Sequence, residues 1–132
     1  MTSAQKQVRL GARFNESAPG SNIICNASSG DDLDLAWPNN LSGSITANDC
    51  FLRVGNDAAL GSADGTGATG TILNPGGRLV LVGSRNIANE QLSMNMGGNL
   101  VVETGSSIYS GPIVLTGTLG IGAQFGGFAS GA

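Results

Sequence analysis

Residues 73–83 read LNPGGRLVLVG, and residues 94–104 read MNMGGNLVVET, so the chain repeats itself at an interval of 21. At that offset Asn74 falls on Asn95, Gly76 and Gly77 on Gly97 and Gly98, and Leu79 and Val80 on Leu100 and Val101. Such a repeat is expected where one coil cannot bury its own core but a stack of coils can. Three apolar series follow the interval in steps of 20 or 21: Ile72, Leu92, Ile113; Leu79, Leu100, Ile121; and Ile87, Ile108, Phe128. Within the first two series the neighbours alternate, as in Leu79 with Leu81 and Leu100 with Val102. Period-two alternation describes a strand with one buried face. The expected fold is all-β, a short parallel β-helix (β-solenoid) with about three strands per coil of 20–21 residues. Its coils stack about 4.8 Å apart, placing Leu over Leu in interior columns. The glycine pairs serve the bend between strands one and two, where positive φ is needed. Asn74 and Asn95 are expected to pair their amides as a ladder along the stack.

Composition agrees. The 132 residues include 22 glycines, no histidine, and 11% charged against 40% hydrophobic residues. Glycine is costly inside helices, which argues against an α-helical fold. The segment LRVGNDAALGS (52–62) matches the next coil at Leu52/Leu73, Gly55/Gly76 and Leu60/Leu81, and reads as an imperfect first coil. Next comes ADGTGATG, a flexible loop by composition. Residues 20–50 read as further irregular coils or a cap. The organisation expected is an irregular, extended basic arm over residues 1–20 and a single β-solenoid domain over residues 21–132.

Charge is unevenly placed. Residues 1–13 carry Lys6, Arg9 and Arg13 and no acid, whereas residues 14–64 carry seven acids against Arg53 alone. The basic start is either a solvated tail or an arm that grips an acidic partner, and Val8, Leu10 and Phe14 suit the arm. No apolar run is long enough to cross a bilayer. The first residues, MTSAQKQVRLGARFN, lack the apolar stretch of a secretory leader, so the expectation is folding in a cytoplasm. Cys25 and Cys50 are then expected to stay reduced, as small buried hydrophobes.

The pieces LRVGNDAALGS, NPGGRLVLVG and IANEQLSMNMGGNLVVETGSSIYSGPIVLTG together resemble the passenger-associated β-strand repeats of autotransporters. The match runs over about residues 50–121, with Val54 to Gly61, Gly76 to Leu81 and Tyr109 to Gly117 as the corresponding strands. The resemblance implies a right-handed β-helix with a structural or adhesive role and no catalytic residues. A secretory leader and a translocator barrel, which that family carries, are not seen in this sequence.

Chemistry is sparse. The charges in the repeat are Arg78, Arg85, Glu90 and Glu103, and no two carboxylates stack at the repeat offset. Without histidine the commonest general base is missing. A glycan-cleaving cleft would need Asp57, Asp64 and Glu90 to converge. No catalytic or cofactor-binding residue is therefore expected. Asp31, Asp32 and Asp34 in GDDLDL offer oxygen ligands for calcium but lack the EF-hand spacing, so a solvated turn is expected and no metal site. Sequons at Asn15, Asn26 and Asn40 are read as chance, and Trp37 as a turn anchor. Few basic residues and few aromatic platforms oppose nucleic-acid binding, and no membrane partner is expected.

The function expected by elimination is a non-enzymatic virion structural protein, a capsid decoration or cement subunit that assembles as a homotrimer. Its partners would be further copies of itself and a major capsid protein. The partner-binding residues would be Lys6, Arg9, Leu10, Arg13 and Phe14 in the arm and Phe125 and Phe128 in the terminal coil. The alternative is an exported, cell-surface adhesive β-helix module, for which Cys25 and Cys50 should be oxidised to a disulfide.

Overall fold

In the computed structural model, residues 6–10, 12–118 and 120–123 are described, and among them there is no helix. The strands are β1 (Gln7–Arg9), β2 (Ile23–Leu35), β3 (Ile45–Val54), β4 (Thr71–Leu73), β5 (Arg78–Leu81), β6 (Asn86–Ile87), β7 (Leu92–Met94), β8 (Asn99–Val102), β9 (Ile108–Tyr109), β10 (Ile113–Leu115) and β11 (Gly120–Ala123). Every pairing between them is parallel. The chain winds about five turns of a β-solenoid with coils of about 21 residues.

Three faces make up each coil. On the first face, the start of β2 pairs with the start of β3, followed by β4, β7 and β10. On the second, β1 is followed by the ends of β2 and β3, then β5, β8 and β11. The third is thinner, with β6 on β9 and a single bridge between Asn15 and Asn40. Residues 20–50 are thus coils of the stack.

The second-face column is as the sequence suggests: Leu52, Leu79, Leu100 and Ile121 lie in one register. The partner of Leu52 is Leu79, not Leu73, because residues 61–70 lengthen that coil. The match of 52–62 to 73–83 at an offset of 21 is thereby overturned. The first-face column also needs correction. Ile45, Thr71, Leu92 and Ile113 share a register, and Ile72 pairs with Ser93 on the outward side. Thr71 takes the interior place because its hydroxyl has a buried partner, Glu90. On the third face Ile87 lies against Tyr109, one residue past the expected Ile108, which is exposed. Phe128 lies outside the described residues. Burying one leucine of these columns stabilises the stack by about 1.5–3 kcal/mol.

The corners follow local backbone demands. Gly76 (φ 80°) and Gly97 (φ 86°) turn the chain between first and second faces, and Asp49 (φ 52°) does so one coil earlier. A Cβ on Gly77 would approach Ala47 O to 2.7 Å, so the second glycine is needed for close packing of coils. The expected amide ladder is present and longer than the repeat implied. Asn48 Nδ2 donates to Asn26 Oδ1 (2.7 Å), Asn74 Nδ2 to Asn48 Oδ1 (2.6 Å) and Asn95 Nδ2 to Asn74 Oδ1 (2.6 Å). The loop read as flexible is instead a tied turn: Asp64 Oδ1 accepts from Thr66 N, Thr66 Oγ1 and Thr69 Oγ1.

Candidate functional site

Cys25 and Cys50 are joined in a disulfide, with Cα atoms 6.0 Å apart. This overturns the expectation of reduced thiols. Cys25 lies in the first-face half of β2, whereas Cys50 opens the second-face half of β3 just past the Asp49 corner. Their separation of 25 residues does not match the repeat. The register shift in β2 between Asn26 and Asp31 changes the pairing offset across the corner. The bridge therefore staples one coil to the next, and Cys50 is fully buried.

The residues read as a gripping arm sit on the first turns of the stack. Strand β1 pairs Gln7 with Asp32 and Arg9 with Asp34. Arg9 Nε contacts Asp34 Oδ2 at 2.9 Å, and the Arg9 side chain remains 70% exposed. Lys6 is exposed, while its backbone N donates to Asp31 Oδ1 (3.0 Å). Leu10 and Phe14 pack, half-buried, against the core, and Arg13 is exposed. Phe125 and Phe128 lie outside the described residues.

The acidic cluster is thus drawn into pairing with β1. Burial raises the Asp32 carboxyl from its ordinary value, opposed by Arg53 and reinforced by Glu103, Asp34 and Asp31. Arg53 spans the outer second face to Glu103 at 2.6 Å, and the outward-facing Val80 between them is fully buried. Arg78 covers the Phe51 ring at 4.4 Å. Among the described residues no three metal-ligating side chains gather. No helix of the described residues is long and apolar enough to cross a membrane.

Strands β10 and β11 end the sheet, so each presents one edge without a strand partner among the described residues. Val114, Leu115 and Ile121 are exposed there, Ile121 by 64%, and Met96 and Ile108 add to the apolar surface. From residue 104 onward the sequence has no charged side chain. Edge strands are ordinarily blunted by charge, as β1 is by Lys6 and Arg9 at the opposite end. A shallow cleft of about 300 Å³ also opens near that end, lined by Phe14, Glu16, Ser21, Ile23 and Leu41. The Glu16 carboxylate in it is already held by Ser42 N, Ser42 Oγ and Ser21 N. Trp37 stands half exposed at a corner.

Of the three carboxylates that a glycan cleft would need, Asp57 lies 3.5 Å from Arg85 Nη1, and Asp64 belongs to its own turn. Glu90 is only 1% exposed and offers no atom to a bound glycan. Its Oε1 accepts from Thr71 Oγ1 (2.7 Å), and Oε2 is buried with no partner. Burial pushes its pKa up to about 7, against the Thr71 hydrogen bond and with help from the Asp64 charge. By sequence Glu90 counts only among the charges of the repeat and the carboxylates of a possible cleft. No signal in the sequence places it inside, because the interior position of its partner Thr71 is itself set only by the stacked coils.

No protein-family model, curated protein or solved structure matches this chain.

Proposed function

We propose that this chain is a non-enzymatic structural module for an oxidising, extracellular setting: an adhesive or stalk-forming β-solenoid built like the passengers of autotransporters. The observation that carries this reading is the Cys25–Cys50 disulfide. Disulfides persist in secreted and surface proteins and are rare where thiols are kept reduced. The outer surface agrees with a passive role in that six of its charged side chains are paired, in Arg9–Asp34, Arg53–Glu103 and Arg85–Asp57. The test is alkylation of free thiols, followed by intact mass, on the chain recovered from a reducing cytoplasm and from an oxidising periplasm. The expected result is no reactive thiol in the periplasmic chain and markedly greater protease resistance than in the cytoplasmic one. Two free thiols in a periplasmic chain that is fully folded would end this reading.

The second reading, a trimeric virion decoration subunit, is favoured by the uncharged apolar edge of β10 and β11. Closed symmetry would hide such an edge between copies. Light scattering on the full chain and on a form lacking residues 1–20 tests it. A monomer in both removes the trimer.

A further inference from the structure

Glu90 lies on the corner between β6 and β7, sealed from solvent on all sides. The elements packed around it supply no cation among the described residues. From β4 comes the Thr71 hydroxyl, and from the 61–70 loop the charge of Asp64, itself tied to Thr66 and Thr69. From β9 comes Tyr109, whose hydroxyl is buried without a partner and whose pKa is raised first by burial and then by Glu90. From the next coil comes Gly111, so close that a Cβ there would overlap Glu90 O. Its neighbours Asn89 and Gln91 are uncharged. A carboxylate here has one hydrogen bond, no ion pair and no water access, which disfavours the charged form. The Tyr109 hydroxyl, able to donate as well as accept, makes no hydrogen bond to Oε2 in the structure, so a charge on Glu90 is relieved only by letting water in past the coil that covers it.

We propose that Glu90, sealed beneath Tyr109 and Gly111, is a proton-operated latch: the coil carrying β9 and β10 stays seated on its neighbour while the carboxyl is neutral and loosens when the carboxyl ionises and draws in water. The latch would tune how firmly the apolar terminal edge is held as the surroundings move between mildly acidic and mildly alkaline pH. The direction follows from linkage. The unfolded carboxyl releases its proton near 4.5 and the folded one near 7, so the latch is fully stabilising below 4.5 and weakens as pH rises to about 7. Across that window the folded-to-unfolded ratio should fall by roughly 100-fold on account of this group.

The experiment compares equilibrium unfolding of the full-length chain and Glu90→Gln from pH 4.5 to 8. The wild type is expected to lose stability relative to the variant by that factor and to run parallel to it above pH 7. Curves parallel throughout overturn the proposal. Thr71→Val, which removes the one bond favouring the carboxylate, should move the midpoint of the transition to higher pH, whereas a merely structural threonine would leave it in place. Hydrogen exchange localises the effect: amides of residues 108–115 should lose protection with rising pH while those of residues 45–54 keep theirs. Uniform loss overturns the local latch. Should Glu90→Gln not fold, infrared spectra at pH 6 of Asp32→Asn, a variant without the other acid raised by burial, decide: a protonated-carboxyl band sustains the proposal and its absence ends it.

Discussion

The asparagine ladder offers a measurable account of how the coils are held in register. Asn74 is its interior rung, donating to Asn48 Oδ1 and accepting from Asn95 Nδ2, both at 2.6 Å and both partly buried. Truncating it to alanine removes two bonds and leaves one acceptor and one donor without partners. A net hydrogen bond is worth about 1 kcal/mol, and a group left unsatisfied and sealed costs up to about 3 kcal/mol. Because water can reach these half-buried groups, Asn74→Ala should cost about 2–3 kcal/mol. Asn26 is the terminal rung, with one exposed bond to Asn48 Nδ2, so Asn26→Ala should cost less than about 1 kcal/mol. For a chain of this size 1 kcal/mol shifts Tm by about 3–4 °C, giving roughly 8 °C for Asn74→Ala and under about 4 °C for Asn26→Ala. The assay is urea unfolding followed by circular dichroism, with thermal melts as a check. A double variant of Asn48 and Asn74 should lose less than the sum, since both singles break the same bond. Equal, small losses for the terminal and interior rungs would show that the amides merely fill the corners.

Other outcomes follow from the same geometry. Replacing Cys25 and Cys50 by serine opens a loop of 25 residues, and chain entropy puts the loss at about 3.5 kcal/mol; unchanged unfolding with and without reductant would show the bridge contributes nothing. Leu100→Asp places an unpaired charge in a column position only 6% exposed and should abolish the cooperative melt, whereas a parent-like melt would refute the inward register. Gly111→Ala should destabilise the last coils by pushing them off Glu90 O, read as faster proteolysis after residue 103; an unaltered digest would place Gly111 elsewhere. Leu79→Ala, at the centre of the second column, should cost about 2–5 kcal/mol in chemical unfolding.

The period of 21 residues, the glycine corners, the Leu79–Leu100–Ile121 column and the Asn74–Asn95 rung were all legible in the sequence, because the last coils are nearly equal in length and identical side chains must stack. Resemblance to autotransporter repeats pointed to the same solenoid through the same residues. Insertions hid the rest. The offset between Ile45 and Thr71 is 26 and that between Leu52 and Leu79 is 27, so the earlier coils and the Asn26 and Asn48 rungs carry no fixed period. Nor does spacing along the chain reveal a disulfide that depends on a register shift in one strand. The interior position of Thr71 over the more apolar Ile72 was decided by a contact 19 residues away, with Glu90. Hydrophobic periodicity assigns each side chain by its own polarity. Only the closed stack decides which polar groups meet inside it, since burying one requires a partner whose place is fixed by the winding of the whole chain.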